Sequence, residues 1–359
     1  KIGLHDFNFA EESGSLLGIM GGSGAGKSTL LNVLNGNYTP AEGAVTINGV
    51  DIHHEKNKIE GVIGYVSQDD LLIEELTVFQ NLFYNAKLCF GNMDDKLIAK
   101  RVLKTLTSLG LYETKDLKVG SPLEKTISGG QRKRLNIALE LIREPSVLFV
   151  DEPTSGLSSR DSENIMDLLK ELALKGKLIF VVIHQPSSDI FKMFDKLLIL
   201  DVGGFPIYNG NPVDGVMYFK KCINHVKSDE SECHECGNVN PEQIFNIIES
   251  KVVDEYGNQT QHRKISPKEW NENYLKELEP DTDAIENADE IPESTFKKPG
   301  FFKQLKVYFV RDVLSKLTNR QYMLINLLEA PALAFILAFF VKFYNLQDGA
   351  EYTFRTNQN

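Results

Sequence analysis

The stretch Gly21-Gly22-Ser23-Gly24-Ala25-Gly26-Lys27-Ser28-Thr29 decides the fold of this 359-residue chain. It follows an apolar run of strand length, residues 15–20, and it precedes leucines at helical spacing. A strand, the pattern G-x-x-x-x-G-K-S and then a helix predict a phosphate-binding loop. Glycines let backbone N–H groups curl around phosphates, and the helix N-terminus adds its positive dipole end. We expect Lys27 to reach the β- and γ-phosphates of a nucleotide and the Ser28 hydroxyl to coordinate Mg²⁺.

Two acids end a second strand-like run. Residues 147–150 are all apolar, as in a parallel strand that is buried on both faces, and Asp151 and Glu152 follow them. In an open α/β sheet, ligands bind at the carboxyl ends of the strands. We therefore expect Asp151 to hold Mg²⁺ through water, and Glu152 to orient or deprotonate an attacking water.

A second glycine-led helix start lies at Ser128-Gly129-Gly130-Gln131. Thr126 and Ser128 are residues that cap helices, and the apolar residues that follow share one helical face until Pro145. This helix start is a second anion site. One chain cannot easily fold both sites onto one phosphate, but a symmetric dimer can, with each chain closing the other's nucleotide site.

These motifs, in this order and spacing, resemble the nucleotide-binding domain of an ABC transporter. The resemblance covers residues 3–220 and implies ATP and Mg²⁺ as ligands. Gln68 follows a strand-like stretch and resembles the family's Q-loop glutamine, which touches Mg²⁺. His184 follows the strand-like residues 178–183 and resembles the switch histidine, which contacts the γ-phosphate.

The predicted site residues fall into three groups. Those with catalytic roles are Lys27, Glu152 and His184. Those expected to bind the nucleotide are Gly21, Gly22, Ser23, Gly24, Ala25, Gly26, Lys27, Ser28, Thr29, Gln68, Ser128, Gly129, Gly130, Gln131 and Asp151. Those expected to hold Mg²⁺ are Ser28, Gln68 and Asp151.

Finer features resemble the G, or White-type, half-transporters. They are Ser128-Gly-Gly-Gln-Arg-Lys-Arg134, Ile183-His-Gln-Pro-Ser187, and Ile190-Phe191 with Phe194-Asp195. In that subfamily the ATPase domain precedes the membrane domain on one chain. The resemblance implies ATP-driven export of a hydrophobic substrate by a dimer of this chain with a second copy or a homologous half-transporter. It also implies the cell (inner) membrane, with the ATPase domain on the cytoplasmic side.

The chain departs from the family pattern in its D-loop and at its start. Ser158 stands where the family has an aspartate that helps to join the two nucleotide sites across the dimer, so strict coupling of the sites is in question. The family's first strand and adenine-stacking loop would lie upstream of Lys1, and we expect further chain at both ends. Phe7 and Phe9 alternate as in a strand, and we expect them in the core rather than against a base.

Charge divides the second half of the chain. The net charge is −11, from 39 basic and 50 acidic residues, which argues against a nucleic-acid partner. Nine acids and one lysine lie within residues 272–293, so that segment alone carries a charge of −8. We predict an ABC nucleotide-binding domain at 1–225 and an acidic linker with a cysteine-containing loop at 226–298.

Residues 299–346 have the pattern of an amphipathic connecting helix followed by a first membrane span. Residues 301–320 are basic with apolar residues on one side, and 322–344 include twelve uninterrupted apolar residues at 330–341. Twelve apolar residues would also suit a buried helix of a soluble protein, but a basic cluster just before them favours a span. We predict membrane lipid as a partner, an extracytoplasmic loop starting at 347–359, and the remaining membrane domain beyond it.

A separate cluster of metal-ligating residue types follows the ATPase motifs. Cys222-x2-His225 and Cys233-x2-Cys236 resemble a tetrahedral zinc site, although the spacer between the pairs is short. The alternative is a loop with incidental thiols in a reducing compartment, because four cysteines in this chain make no disulfide scaffold.

The motifs together predict an α/β fold: a P-loop NTPase of the ABC cassette type with a helical signature subdomain, a linker and one transmembrane helix. A small antiparallel part is expected near residues 45–52, where Asn48-Gly49 marks a hairpin, and a helical insert near 77–143. Two other classes remain. A soluble ABC-type ATPase of translation or DNA repair would carry two cassettes or a coiled coil inside one. A nucleotide-dependent regulator would often lack the acid at Glu152.

Overall fold

The computed structural model describes residues 3–6, 8–121, 126–223, 239–253, 256, 258–277 and 290–340. The strands are β1 Leu16–Gly21, β2 Thr46–Ile47, β3 Val50–Asp51, β4 Ile63–Val66, β5 Val147–Asp151, β6 Leu178–Val182, β7 Lys196–Asp201, β8 Phe205–Gly210, β9 Lys251–Val253 and β10 Gln259–Arg263. The helices are α1 Lys27–Leu34, α2 Val78–Cys89, α3 Asp95–Ser108, α4 Gly129–Leu141, α5 Ser159–Leu174, α6 Ser188–Met193, α7 Pro212–Cys222, α8 Glu242–Ile248, α9 Pro267–Glu277, α10 Phe301–Thr318 and α11 Arg320–Phe340.

A six-stranded sheet in the order β4-β5-β6-β1-β7-β8 forms the centre of the fold. Strands β4, β5, β6, β1 and β7 run parallel, and only β8 runs antiparallel to its neighbour in this sheet. The carboxyl ends of the parallel strands therefore lie at one edge. The residues after β1, β4, β5 and β6, which include most of the predicted site, meet at that edge. The predicted α/β fold is confirmed.

The apolar strands are buried on both faces of the sheet, as continuous apolar runs predict. Alternate residues of β5 enter different clusters, with Leu148 and Val150 on one face and Val147 and Phe149 on the other. On the second face, Phe149 stacks on Phe180 with ring centroids 5.0 Å apart. Phe9 packs against this second cluster, as expected of a core residue, whereas Phe7 lies outside the described residues.

The two predicted insertions are also present. Strands β2 and β3 pair antiparallel around Asn48 and Gly49, whose φ values of 48° and 79° suit a tight hairpin turn. Helices α2, α3 and α4 form the helical insert and pack on one another. Thr77 starts α2 with a capping box, in which its side chain accepts from the backbone N–H of Gln80.

The packed body extends beyond residue 225, because elements within residues 239–253 and 258–277 cover one end of the sheet. The ring of Trp270 is fully buried and lies 5.3 Å from that of Phe219. Arg263 donates to both carboxylate oxygens of Asp201, at 2.7 and 2.9 Å. The predicted linker at 226–298 thus includes folded elements, while most of its acidic run, at 278–289, lies outside the described residues.

The end of the predicted linker, residues 290–299, lies along the packed body as an extended segment. The Glu290 carbonyl accepts from Asn48 Nδ2 at 2.6 Å, near the β2–β3 hairpin. Further on, Lys297 exchanges backbone hydrogen bonds with Cys89 and Gly91 at the end of α2, at 2.9 and 2.7 Å. These contacts lead the chain from the hairpin to the start of α10.

Helices α10 and α11 leave most of their apolar side chains exposed. Within the described residues of these two helices, Val307 is the one side chain that is buried. Asn319, with φ −81° and ψ 102°, interrupts the helical backbone between them. Among the described residues, α11 is the one helix that is long and apolar enough to cross a membrane, by length and composition, and it contains Pro331.

Candidate nucleotide-binding site

The predicted phosphate loop joins β1 to α1 and adopts a backbone that needs glycine. Gly24 and Gly26 have φ values of 77° and 89°, in the left-handed region. The Lys27 ammonium lies back over the loop, where it donates to the carbonyl oxygens of Gly21 at 2.7 Å and Gly22 at 3.0 Å. Burial lowers the pKa of Lys27, against the opposing charges of Glu152 and Asp151. A phosphate at this loop would meet a cation, backbone N–H groups and the start of α1.

Asp151 lies at the end of β5, two strands from the loop. Burial raises its pKa, and the charge of Glu152 raises it further, against Lys27, Lys133 and the hydroxyl of Tyr65, which donates to it. A carboxylate whose ionised form is disfavoured by burial gains most from a nearby cation. The donor set of Asp151, Ser28 and Gln68 is made of hard oxygens, which suits Mg²⁺.

Glu152 and Gln68 come from neighbouring strands and meet at the edge of the sheet. Gln68 Nε2 donates to Glu152 Oε2 at 2.9 Å. Glu152 has a φ of 45°, in the left-handed region, and its N–H donates to the Val182 carbonyl at 3.0 Å. Such a backbone costs a non-glycine residue about 1–3 kcal/mol, and strain of this kind clusters at functional sites. The turn and the glutamine together fix the direction of the Glu152 carboxylate.

His184 follows β6 at the same edge, as predicted, and its side chain is exposed. Gln185, next to it, has a φ of 46°, so this strand also ends in a left-handed turn. Because β5 and β6 are adjacent and parallel, Glu152 and His184 leave the sheet side by side. The structure thus brings the loop, Gln68, the acids and His184 to one edge.

Ser128 begins α4 and its side chain closes a capping box. Its Oγ accepts from the N–H of Gln131 at 3.1 Å, and Gln131 Oε1 accepts from the N–H of Ser128 at 2.9 Å. A Cβ added at Gly129 would lie close to the side chain of Leu157, and one added at Gly130 close to that of Asp161, near the start of α5. Within this chain, the second glycine-led helix start therefore packs against the segment that follows Glu152.

Lys133 and Arg132 were not foreseen as site residues. Lys133 is 7% exposed, which is rare for a lysine, and it donates to the Gln68 carbonyl at 2.6 Å. Arg132 Nε donates to Asp70 at 2.7 Å. Both fix the segment around Gln68 to the first turn of α4. The basic run after Gln131 was the available signal, but a charge run alone does not indicate its partners.

The zinc hypothesis gains no support from the structure. Cys222 is described, whereas His225, Cys233 and Cys236 lie outside the described residues. Burial, followed by the charge of Glu277, raises the pKa of Cys222. The described residues include no group of three or more His, Cys, Asp or Glu that could hold a metal.

The fold and the grouping of phosphate loop, acids and glutamine define a P-loop ATP-binding cassette. Residues 4–155 match the family model described as ABC transporter. Over 225 residues the chain is 42% identical to ABC transporter G family member 24 of Dictyostelium discoideum, covering 61% of this chain and 19% of that relative. Over 350 residues it is 29% identical to ATP-binding cassette sub-family G member 5 of Mus musculus, covering 94% of this chain and 52% of that relative.

A solved structure agrees with these relatives. It is a dimeric post-hydrolysis state of an ATP-binding cassette bound to ADP and Pi, with 31% identity, a TM-score of 0.50, and coverage of 58% of this chain and 90% of that one. The chain belongs to the ABC transporter family, contains its ATPase domain and resembles the family's G members. It spans about half or less of the length of these curated relatives. These matches do not favour the soluble translation or repair ATPase.

Proposed function

We propose that this chain hydrolyses ATP as one half of a G-type transporter and couples hydrolysis to export across a membrane. The observation that carries the proposal is the 2.9 Å hydrogen bond from Gln68 to Glu152. It holds a carboxylate beside Asp151 and the phosphate loop, where a general base for water attack on a γ-phosphate is needed.

In this proposal each site residue has one task. Lys27 exchanges its loop carbonyl partners for the β- and γ-phosphates, and Glu152 accepts the proton of the attacking water. His184 donates to the γ-phosphate. Ser28, Gln68 and Asp151 would hold Mg²⁺, which supplies charge neutralisation when bound.

A partner chain completes the site in this proposal. Ser128, Gly129 and Gly130 lie at the positive dipole end of α4, so they suit the γ-phosphate on a second copy or a homologous half-transporter. The match to a cassette solved as a dimer with ADP and Pi supports this arrangement. ATP would then form part of the dimer interface, and binding would drive association.

The membrane half of the proposal rests on α10 and α11. Large aromatic side chains on both helices are exposed: 83% for Phe302, 67% for Phe309 and 72% for Phe335. The hydrocarbon of a membrane would bury these side chains. We propose that α11 is a first span in the cell (inner) membrane, with the basic α10 and the ATPase domain on the cytoplasmic side. Further spans beyond the chain would complete a path for an apolar substrate.

Zinc at Cys222, His225, Cys233 and Cys236 is a separate proposal that rests on residue spacing alone. It predicts close to one zinc per chain in protein produced with zinc available. Elemental analysis that finds no zinc in such protein would remove it.

The hydrolysis proposal is tested by Glu152→Gln in the full chain. The amide keeps the size of the side chain but cannot act as a base, so turnover should fall by about 10²–10⁴-fold while ATP still binds. The ATP-bound dimer should then accumulate in sedimentation experiments. Glu171→Gln, on the exposed face of α5, is the matched control and should hydrolyse at the original rate. Unchanged turnover in Glu152→Gln would contradict the role of Glu152.

A further inference from the structure

The segment that should carry the D-loop aspartate has Ser158 there, but a carboxylate lies one helical turn later. Ser158 is the N-cap of α5, and its Oγ accepts from the N–H of Asp161 at 3.2 Å. The same hydroxyl donates to Asp161 Oδ2 at 2.9 Å. The serine therefore holds an acid at the start of α5.

The second oxygen of Asp161 lies against a different element. A Cβ added at Gly130 would lie 2.6 Å from Asp161 Oδ1, closer than real Cβ atoms approach. A Cβ at Gly129 would lie 3.1 Å from Leu157 Cδ2. The two glycines at the start of α4 thus allow the segment 157–161 to pack directly onto them.

Helix capping alone accounts for only part of this geometry. A Ser–Asp pair at the N-cap and third position satisfies the N–H groups of its own helix, as such pairs commonly do. It does not require a carboxylate oxygen to sit over the first turn of another helix. In Asp161 one oxygen accepts from Ser158 at the N-cap of α5, and the other lies where a Cβ on Gly130 of α4 would come too close.

We propose that Asp161, the acid that Ser158 holds at the start of α5, is a positioning residue for ATP hydrolysis. It ties the first turn of α4, Ser128–Gly130, to the segment 157–161. In a nucleotide dimer both elements would face the partner chain, so this tie keeps them in register while the site closes. The inference rests on the proposed function, because only a two-chain site needs the alignment.

Turnover and nucleotide affinity separate this role from a purely structural one. In the full chain in detergent, Asp161→Ala should lower kcat about tenfold with little change in KM for ATP, as expected when a distant change misplaces a catalytic group. Asp161→Asn keeps an acceptor for Ser158 and should lose less. Ser158→Ala should lose activity in the same direction, and the double variant should be no worse than Asp161→Ala, because the two residues act as one unit.

The matched control is Asp94→Ala at the start of α3. Asp94 also caps a helix, by accepting from the Leu97 N–H at 2.8 Å, but it lies in the helical insert away from the start of α4. It should lower thermal stability about as much as Asp161→Ala without lowering kcat. Equal kcat in Asp161→Ala and Asp94→Ala would overturn the proposal.

Hydrogen exchange gives a readout that does not depend on turnover. The amides of residues 128–131 should exchange faster in Asp161→Ala than in the unaltered chain or in Asp94→Ala. Unchanged exchange there would overturn the tie even if the chain is an active ATPase. Faster exchange in a chain that hydrolyses no ATP would support the tie and contradict the proposed function instead.

Discussion

The nucleotide edge of the sheet and the helix pair α10–α11 expose opposite kinds of surface. At the edge, charged and polar side chains are already engaged by the chain itself: Lys27 with loop carbonyls, Gln68 with Glu152, and Lys133 with the Gln68 carbonyl. On the helix pair, large apolar side chains project outward. The first region is preorganised for a ligand, whereas the second needs an apolar environment that this chain does not provide.

Glu75 joins these two regions. Its carboxylate accepts from Ser315 Oγ and Asn319 Nδ2, both at 2.9 Å, at the end of α10. Burial would raise its pKa, but hydrogen bonds from its own N–H, Ser315 and Asn319 hold the pKa below its usual value. Gln68, at the nucleotide edge, and Glu75, which contacts the end of α10, are only seven residues apart along the chain.

The largest expected effect removes the apolar character of the helix pair. Leu333→Arg combined with Leu337→Arg places two charges near the middle of α11, at about 2.5–3.5 kcal/mol each in a bilayer. The variant should remain at the bottom of a vesicle flotation gradient, while the unaltered chain rises with the lipid. Leu174→Arg, at an exposed site on α5, is the control and should float. Equal flotation of the double variant would show that α11 is not a span, and the soluble alternative would gain.

The next effect breaks the brace at the nucleotide edge. Gln68→Ala frees the Glu152 carboxylate and removes a proposed Mg²⁺ ligand, so kcat should fall by about 10–100-fold. Asp69→Ala, at the exposed neighbouring residue, should leave kcat unchanged. Steady-state ATPase assays decide the matter, and a Gln68→Ala variant as fast as Asp69→Ala would mean that the brace has no catalytic role.

A smaller effect is expected where the two regions meet. Glu75→Ala removes the acceptor for Ser315 and Asn319 and should weaken the docking of α10 by about 1 kcal/mol, given solvent screening of a partly exposed acid. Hydrogen exchange of residues 315–319 should then rise. Glu60→Ala, at an exposed acid near β4, serves as the control. If exchange at 315–319 does not change, Glu75 does not hold the end of α10.

The smallest effect is a pH dependence from Asp151. Its pKa in the fold is raised from the ordinary 3.8, so between the two values the folded state binds more protons than the unfolded state. Stability without nucleotide should therefore fall as the pH rises from 3.8 through the raised pKa. Asp151→Asn cannot titrate and should lack this component. Thermal unfolding of both proteins over that range measures it, and parallel curves would contradict the raised pKa.

Local patterns predicted the sheet edge, because each element there is encoded within a few residues. Glycines with positive φ, apolar strands and terminal acids can be read without knowledge of the rest of the fold. The contacts of Lys133, Asp161 and Glu75 could not be predicted in this way, because each joins segments that are far apart in sequence. Trp270 shows the same limit: its surroundings are rich in acids and predicted a linker, yet its ring completes the core with Phe219.

Asn319, the single non-helical residue between α10 and α11, is the point about which α11 would tilt as a rigid rod. A helix of 21 residues is about 31 Å long, so a tilt of about 10° at its base displaces its far end by about 5 Å. The side chain of Asn319 is held by Glu75, which belongs to the same segment as Gln68. If a sub-ångström shift of that segment tilts α11 about Asn319, the far end of α11 moves several-fold further, because the helix is long.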